Sequence, residues 1–96
     1  MSIFEWDDSK SRTNRLKHGV SFETARLVFD DPVALMVHDR VEAGEERWQA
    51  IGRVGEHTVL VVAHVIRIRV DQEIVRIISA RYALKHERQR YESETQ

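Results

Sequence analysis

Residues 58–70 read TVLVVAHVIRIRV and form the longest strand candidate of the chain. The stretch begins as a continuous apolar run from Val59 to Ala63, which is typical of a strand covered on both faces. From Ile66 to Val70 it alternates, so that Arg67 and Arg69 share one face and the isoleucines share the other. We therefore predict a central strand here, with one face reaching water at its end.

Shorter strand patterns lie on both sides of this centre. Because strands joined by tight turns pair antiparallel, the last four strands predict an antiparallel sheet. The predicted strands are residues 2–6, 33–39, 47–54, 58–70 and 74–79, and the predicted turns are Arg40–Glu46, Gly55–His57 and Asp71–Glu73.

Three helices complete the pattern. Asp7 or Asp8 caps a polar helix through Lys17, Ser21 caps a second helix that runs to about Phe29, and a third helix runs from Ala80 to about Glu94. Gly19 supplies the left-handed stop after the first helix. The order predicts an α+β fold, in which two N-terminal helices and one C-terminal helix pack on a sheet of four to five strands.

Composition restricts the function classes. The chain of 96 residues has room for one domain, residues 1–96. It has no cysteine, which excludes disulfide scaffolds, cysteine-ligated metals and thiol nucleophiles. We expect no metal or cofactor, since the histidines are scattered and no glycine-rich phosphate loop is present. We also see no signal peptide and no stretch that spans a bilayer, and expect a cytoplasmic protein with no membrane partner.

Charge is segregated along the chain. The net charge of −1 argues against a nucleic-acid binder. However, acidic residues dominate from Glu23 to Glu56 and basic residues dominate from Arg67 to Arg90. Arginine makes up most of the basic residues, and its planar fork suits phosphate or carboxylate recognition. A GC-rich genome would explain the same bias equally well.

Two groups of arginines are candidate anion sites. If Ser79 caps the last helix, Arg81 lies in its first turn beside free N–H groups that attract phosphate, although Arg81 could instead pair with an acid such as Glu73. Arg67 and Arg76 lie on neighbouring strands across a tight turn and would repel one another unless an anion sits between them. They could equally be the charged, exposed face of an edge strand.

Two histidines and the last helix complete the candidates. His18, at a helix end, could act as a general base or simply favour the helix C-terminus. His64 faces away from Arg67 unless a bulge intervenes. Arg81, Lys85 and Arg88 have the spacing of one helical stripe.

Several stretches together resemble the BrnT family, over nearly the whole chain and in order. Ile66–Gln72 is longer and more apolar than the short polar turn usual in relatives. The stretches that carry the resemblance are Phe4-Glu5-Trp6-Asp7, Lys10, Asn14, Lys17-His18-Gly19-Val20-Ser21-Phe22-Glu23, Val28-Phe29-Asp30-Asp31-Pro32, Gly44-Glu45, Arg47, Ile51-Gly52, Ile77-Ile78-Ser79-Ala80-Arg81, Glu87-Arg88 and Tyr91.

The resemblance implies a toxin of a bacterial type II toxin–antitoxin module with a RelE-like fold. It implies an endoribonuclease that cleaves mRNA and so blocks translation, without a metal ion. It also implies neutralisation by a cognate BrnA-type antitoxin in a hetero-oligomer that contacts DNA only through the antitoxin. The alternatives are a catalytically inactive RelE-like module that acts within a transcription-repressing antitoxin complex, and a domain whose basic face binds acidic protein segments.

On this interpretation the candidate residues take three roles. Arg67, Arg76 and Arg81 bind and stabilise the scissile phosphate, His18 and His64 transfer protons, and Lys85, Arg88 and Tyr91 shape the substrate path. The hypothesis requires the three catalytic arginines to converge on one site. Scatter of those side chains over separate surfaces, or their locking to carboxylates of the same molecule, would end this hypothesis.

Overall fold

The computed structural model describes residues 2–95 and contains a five-stranded sheet with three α-helices, which confirms the α+β class. A 3₁₀ turn, Leu27–Asp30, follows the second helix directly. The strands are β1 (Ser2–Glu5), β2 (Leu35–Glu42), β3 (Glu45–Val54), β4 (Thr58–Arg69) and β5 (Gln72–Tyr82), and the helices are α1 (Asp8–His18), α2 (Phe22–Arg26) and α3 (Lys85–Glu94).

The strands lie in the order β1-β5-β4-β3-β2, and β2 to β5 form the predicted antiparallel hairpins. β1 instead pairs in parallel with β5, with Phe4 opposite Val75 and Glu5 opposite Arg76. The sheet is therefore mixed, whereas we expected it to be antiparallel throughout. Turn patterns report only on strands that are adjacent in sequence, so they carry no information about this pairing.

The two faces of the sheet have different coverings. Leu60, Val62 and His64 of β4 point toward α2 and the 3₁₀ turn, and we call this side the helix face. Val61 and Arg67 point to the opposite side, which we call the arginine face. α3 covers only the part of the arginine face that lies around Val61.

α1 lies along the edge of β5 beyond the end of β1. Its ends are as predicted, with the Asp7 carboxylate accepting from the first-turn N–H groups and Gly19 in the left-handed region at φ 77°. The buried side chain of Asn14 hydrogen-bonds the backbone of Ala80 and so takes the place of a neighbouring strand. This contact holds a mostly polar helix against the sheet.

The third helix begins at Lys85 and not at Ala80, so its predicted start is wrong. β5 continues to Tyr82, because Ala80 and Tyr82 still have antiparallel partners on β4 and Ala80 is buried in the core. Consequently Ser79 is not a helix cap, and Arg81 lies on a strand. The anion site predicted at this helix N-terminus is therefore absent from the described residues 2–95.

Two predicted loops are shorter in the structure. The polar turn Arg40–Glu46 shrinks to Ala43-Gly44, because β2 and β3 extend toward each other as a longer hairpin. Likewise β4 and β5 meet at Val70-Asp71, whose φ angles are 46° and 66°. Two successive residues with positive φ are the mark of a tight hairpin turn, so the apolar stretch from Ile66 onward lengthens this hairpin.

Candidate nucleic-acid interface

Arg67 and Arg76 lie side by side on the arginine face. In the β4–β5 ladder Arg76 is opposite Val65, and Arg67 is opposite Ile74, so the two guanidinium groups come from diagonal neighbours. The turn between the strands predicts this arrangement. About a third of each side chain is exposed, 36% for Arg67 and 32% for Arg76, so both are accessible from solvent.

Each of these arginines holds a carboxylate. Arg67 donates from Nε and Nη2 to the two oxygens of Glu45, at 2.8 and 3.0 Å. Arg76 donates from Nη1 to Glu5 at 2.6 Å. The hydrogen bonds from Arg67 hold the pKa of Glu45 below its usual value, and the charges of Arg47 and Arg76 act in the same direction. The two ion pairs therefore form one cluster of four charges.

This pairing meets one of the conditions that end the hypothesis of three free arginines converging on one phosphate, so that hypothesis is not kept in its original form. The arginines are not vacant phosphate receptors, because each already has an anionic partner. However, both pairs are partly exposed, and water screens such pairs so that they contribute little to stability. A phosphate can replace a carboxylate at the same guanidinium, which leaves Glu5 and Glu45 beside the bound anion.

The cluster lies within a larger basic surface. Arg47 on β3 shares this face and pairs with Glu42 at 3.1 Å. Strand register places further arginines on the same side of the sheet, namely Arg40, Arg53, Arg69 and Arg81. The basic excess that is hidden in the net charge is thus concentrated on one face.

Arg81 does not join the cluster. It lies five residues along β5 from Arg76, which is roughly 15 Å at the rise of a strand. Its guanidinium donates to both oxygens of Glu87 on α3, at 2.7 and 2.9 Å. This hydrogen bonding lowers the pKa of Glu87, which also accepts from the Leu84 N–H. Arg81 therefore fastens the first turn of α3 to the sheet.

His64 lies on the helix face, and the structure does not bring it to Arg67. The β4–β5 ladder has a bulge, but it lies on β5, where Ile78 has no partner between Ser79 and Ile77. It therefore leaves His64 on the helix face. The His64 ring is fully buried, contacts the carbonyl of Val62 through Nδ1 at 3.1 Å, and lies edge-on to Phe29. Burial lowers the pKa of His64, so the imidazole is neutral at physiological pH.

His18 occupies the exposed last turn of α1. It lines a shallow cavity of about 260 Å³ together with Lys10, Lys17 and Ser79. Since Ser79 belongs to the arginine face, this histidine lies beside β5 at a position three residues along the strand from Arg76. Both roles considered for His18, proton transfer and favourable charge at a helix end, are compatible with this position.

The three candidates on α3 have different environments. Tyr91 is 3% exposed, and its hydroxyl donates to Asp31. This tyrosine anchors α3 and is not accessible to a substrate in this structure. Arg88 is partly exposed and pairs with Glu92 at 3.2 Å, whereas Lys85 is exposed at the start of the helix.

Sequence reasoning assigned no role to the carboxylates of the site. Glu45 had a usable signal, because the β3–β4 register, extended three residues beyond Trp48 and His64, places it opposite Arg67. No sequence signal indicates Glu5, since it reaches Arg76 only through the parallel pairing of β1 with β5.

The sequence and the fold are similar to those of a known family. The family model described as "Ribonuclease toxin, BrnT, of type II toxin-antitoxin system" matches residues 6–87. The chain belongs to the BrnT family. It is similar to the crystal structure of the Brucella abortus ribonuclease toxin BrnT, with 25% sequence identity and a TM-score of 0.59. The similarity covers 88% of this chain and 99% of the Brucella chain.

No curated protein matches the chain in sequence. Within residues 2–95 we find no helix long and apolar enough to cross a bilayer. The same residues contain no group of three or more histidine, aspartate or glutamate side chains that could hold a metal ion.

Proposed function

We propose that this chain is an endoribonuclease that cleaves mRNA on its arginine face, and that a cognate antitoxin of the BrnA type neutralises it. The observation that carries the proposal is the pair of adjacent, solvent-accessible arginines Arg67 and Arg76, each with a carboxylate in contact, in a member of a ribonuclease toxin family. Cleavage of mRNA would block translation, and DNA would be contacted only through the antitoxin.

The chemistry needs no metal ion, because RNA carries its own nucleophile. The 2′-hydroxyl attacks the adjacent phosphorus, a bond forms from O2′ to phosphorus, and the bond from phosphorus to O5′ breaks. The protein must accept the 2′-hydroxyl proton, stabilise the additional negative charge on the phosphorane, and supply a proton to the departing O5′. Guanidinium groups held at the phosphate stabilise that charge, and we assign this role to Arg67 and Arg76.

Proton transfer on this face falls to the groups that border the two arginines. Glu45 is ionised at neutral pH because its pKa is lowered by Arg67, so it can accept a proton once the phosphate has taken its place at the guanidinium. Glu5 holds the equivalent position at Arg76. His18, at the edge of the same region, is the candidate to protonate O5′. The buried position of His64 argues against a direct role for it.

The remaining predicted residues act around this centre. Arg81 lies too far along β5 to share one phosphate with Arg76, and we assign to it contact with another phosphate of the same RNA strand. Lys85 and Arg88 extend the basic surface onto α3. Tyr91 would influence cleavage only by holding α3 in position, since its ring is buried.

The test is RNA cleavage by purified chain in the presence of EDTA. Arg76→Ala should reduce the cleavage rate by about 10²–10³, the usual cost of one transition-state donor. Arg26→Ala is the matched control, because Arg26 lies against Phe4 on the helix face. Thermal melting of both variants separates loss of chemistry from loss of fold.

Two results would contradict the proposal. Equal losses in Arg76→Ala and Arg26→Ala would remove the arginine face from the reaction. Intact RNA with wild-type chain would favour the alternative of an inactive module within an antitoxin complex. The alternative of an inactive module is supported by one specific observation: all three candidate arginines are paired with carboxylates.

A further inference from the structure

The helices leave part of the helix face uncovered. They pack on Ala50, Leu60 and Val62, and stop short of the ends of β4 and β2. Apolar side chains continue along this face into solvent, and soluble monomers rarely expose such a row unless it is an interaction site. The row consists of Met36, Val41, Ile66 and Ile68, which are 50%, 61%, 46% and 69% exposed, and we call it the apolar row.

A cavity of about 540 Å³ lies where the apolar row meets the helices. Its size is within the range of about 300–1,000 Å³ that is usual for ligand pockets. His64 lines the cavity with no charge, because burial lowers its pKa. Half of the lining residues are apolar, namely Phe4, Phe29, Met36, Ile66 and Val75, and the others include Glu73 and the Arg26–Asp30 ion pair. An apolar side chain of a partner fits these surroundings.

The rim of this surface is acidic. At the rim, Glu73 is opposite Ile68 in the β4–β5 ladder. Glu46 of β3 is opposite Val41 and lies within the surface, between the β2 and β4 members of the apolar row. Neither carboxylate forms an ion pair with any residue in the range 2–95. Since nucleic acid binds through cations that neutralise its phosphates, this rim disfavours RNA. The two sides of the sheet therefore suit different partners.

We propose that the apolar row and its cavity dock a segment of a protein partner that carries apolar side chains flanked by lysine or arginine. One apolar side chain of the segment enters the cavity, and its basic residues meet Glu46 and Glu73. The identity of the partner rests on the proposed function, since for a toxin–antitoxin chain the partner is the antitoxin. The docking surface lies on the opposite side of the sheet from the RNA site.

The experiment measures binding of the antitoxin encoded in the same module as this chain, by titration calorimetry with purified proteins. Ile68→Lys and Met36→Lys should each raise the Kd at least tenfold, because lysine interrupts the apolar contact and repels the basic flanks. Ile68→Lys also places its ammonium opposite Glu73, which favours retention of the fold. Leu16→Lys is the matched control, since Leu16 is an 89% exposed apolar residue on α1.

Several outcomes would overturn the inference. One is wild-type affinity in both lysine variants. Another is loss of binding only on substitution of Arg67, which would move the partner to the arginine face. A wild-type chain that does not bind the antitoxin, or that self-associates through Ile68 in sedimentation, would overturn it as well. If wild-type chain leaves RNA intact while Ile68→Lys still abolishes antitoxin binding, the ribonuclease proposal fails and the docking surface stands.

Discussion

Asn14 joins α1 to the sheet through three buried hydrogen bonds. Its Nδ2 donates to the carbonyls of Val20 and Ala80 at 2.7 and 2.8 Å, and its Oδ1 accepts from the Ala80 N–H at 3.2 Å. The side chain is almost fully buried, so water cannot replace these partners when it is removed. Replacement by leucine of similar size should therefore strand three backbone groups.

The expected loss follows from this count. Each hydrogen bond contributes about 1 kcal/mol net, and an orphaned buried group costs about 1–3 kcal/mol, so Asn14→Leu should lower the free energy of unfolding by roughly 3–5 kcal/mol. That is a large share of the 5–15 kcal/mol typical of a domain. The melting temperature should fall by about 12–40 °C, at roughly 4–8 °C per kcal/mol for a chain of this size.

Urea unfolding followed by circular dichroism measures the effect. Thr13→Ala is the matched control, because Thr13 directly precedes Asn14 on α1, is exposed, and donates only a local hydrogen bond to the Ser9 carbonyl. Asn14→Asp should be at least as harmful as Asn14→Leu, since a carboxylate offers no donor to the two carbonyls. A loss below about 1 kcal/mol for Asn14→Leu would refute the idea that this side chain holds α1 on the sheet.

Other predictions concern packing, a turn and pH. Gly52→Ala should destabilise by about 1–3 kcal/mol in urea unfolding, because the new Cβ would lie 2.8 Å from a methyl of Val28. Val70 is 95% exposed and adopts a left-handed φ of 46°, which costs a valine about 1–2 kcal/mol. Asparagine tolerates this conformation, so Val70→Asn should raise the melting temperature. An unchanged melting temperature would show that the turn is not strained at Val70. Burial raises the pKa of Asp31, but hydrogen bonds from the Arg53 N–H and the Tyr91 hydroxyl lower it by more. The pKa of Asp31 therefore lies below its usual value. The stability that Asp31 contributes is present above its unfolded pKa and is lost as pH falls through its folded pKa. Tyr91→Phe should therefore reduce the decrease in unfolding free energy between about pH 5 and pH 3. An unchanged dependence of stability on acid pH would show that the Tyr91 hydrogen bond does not lower the pKa of Asp31.

Much of the fold was predictable because its signals are local. The alternation from Ile66 onward, the carboxylate of Asp7 and the Gly19 stop act within a few residues of themselves, and each is found as predicted. The start of α3 was not predictable in this way. Ala80 and Arg81 have good helix propensity, but the pairing of residues 80–82 with β4 overrides it and extends the strand.

The candidate site was likewise predictable only where its contacts are local in sequence. The adjacency of Arg67 and Arg76 follows from a tight turn and was predictable. Of their carboxylate partners, Glu45 follows from the β3–β4 hairpin register, whereas Glu5 comes from β1 and appears only when the strand order is known. The position of His64 was foreseen as facing away from Arg67, and the observed bulge on β5 leaves that unchanged.

The amino-acid order alone specifies a central apolar strand, its hairpin neighbours and a surplus of arginine near the C-terminus, because these depend on side-chain periodicity and on turns closed by neighbouring residues. The parallel docking of β1, the pairing of each arginine with a glutamate, and the separation of a basic face from an apolar face with an acidic rim depend on segments up to 71 residues apart. Contacts over such distances form only when the whole sheet assembles, since no local conformational preference brings those side chains together.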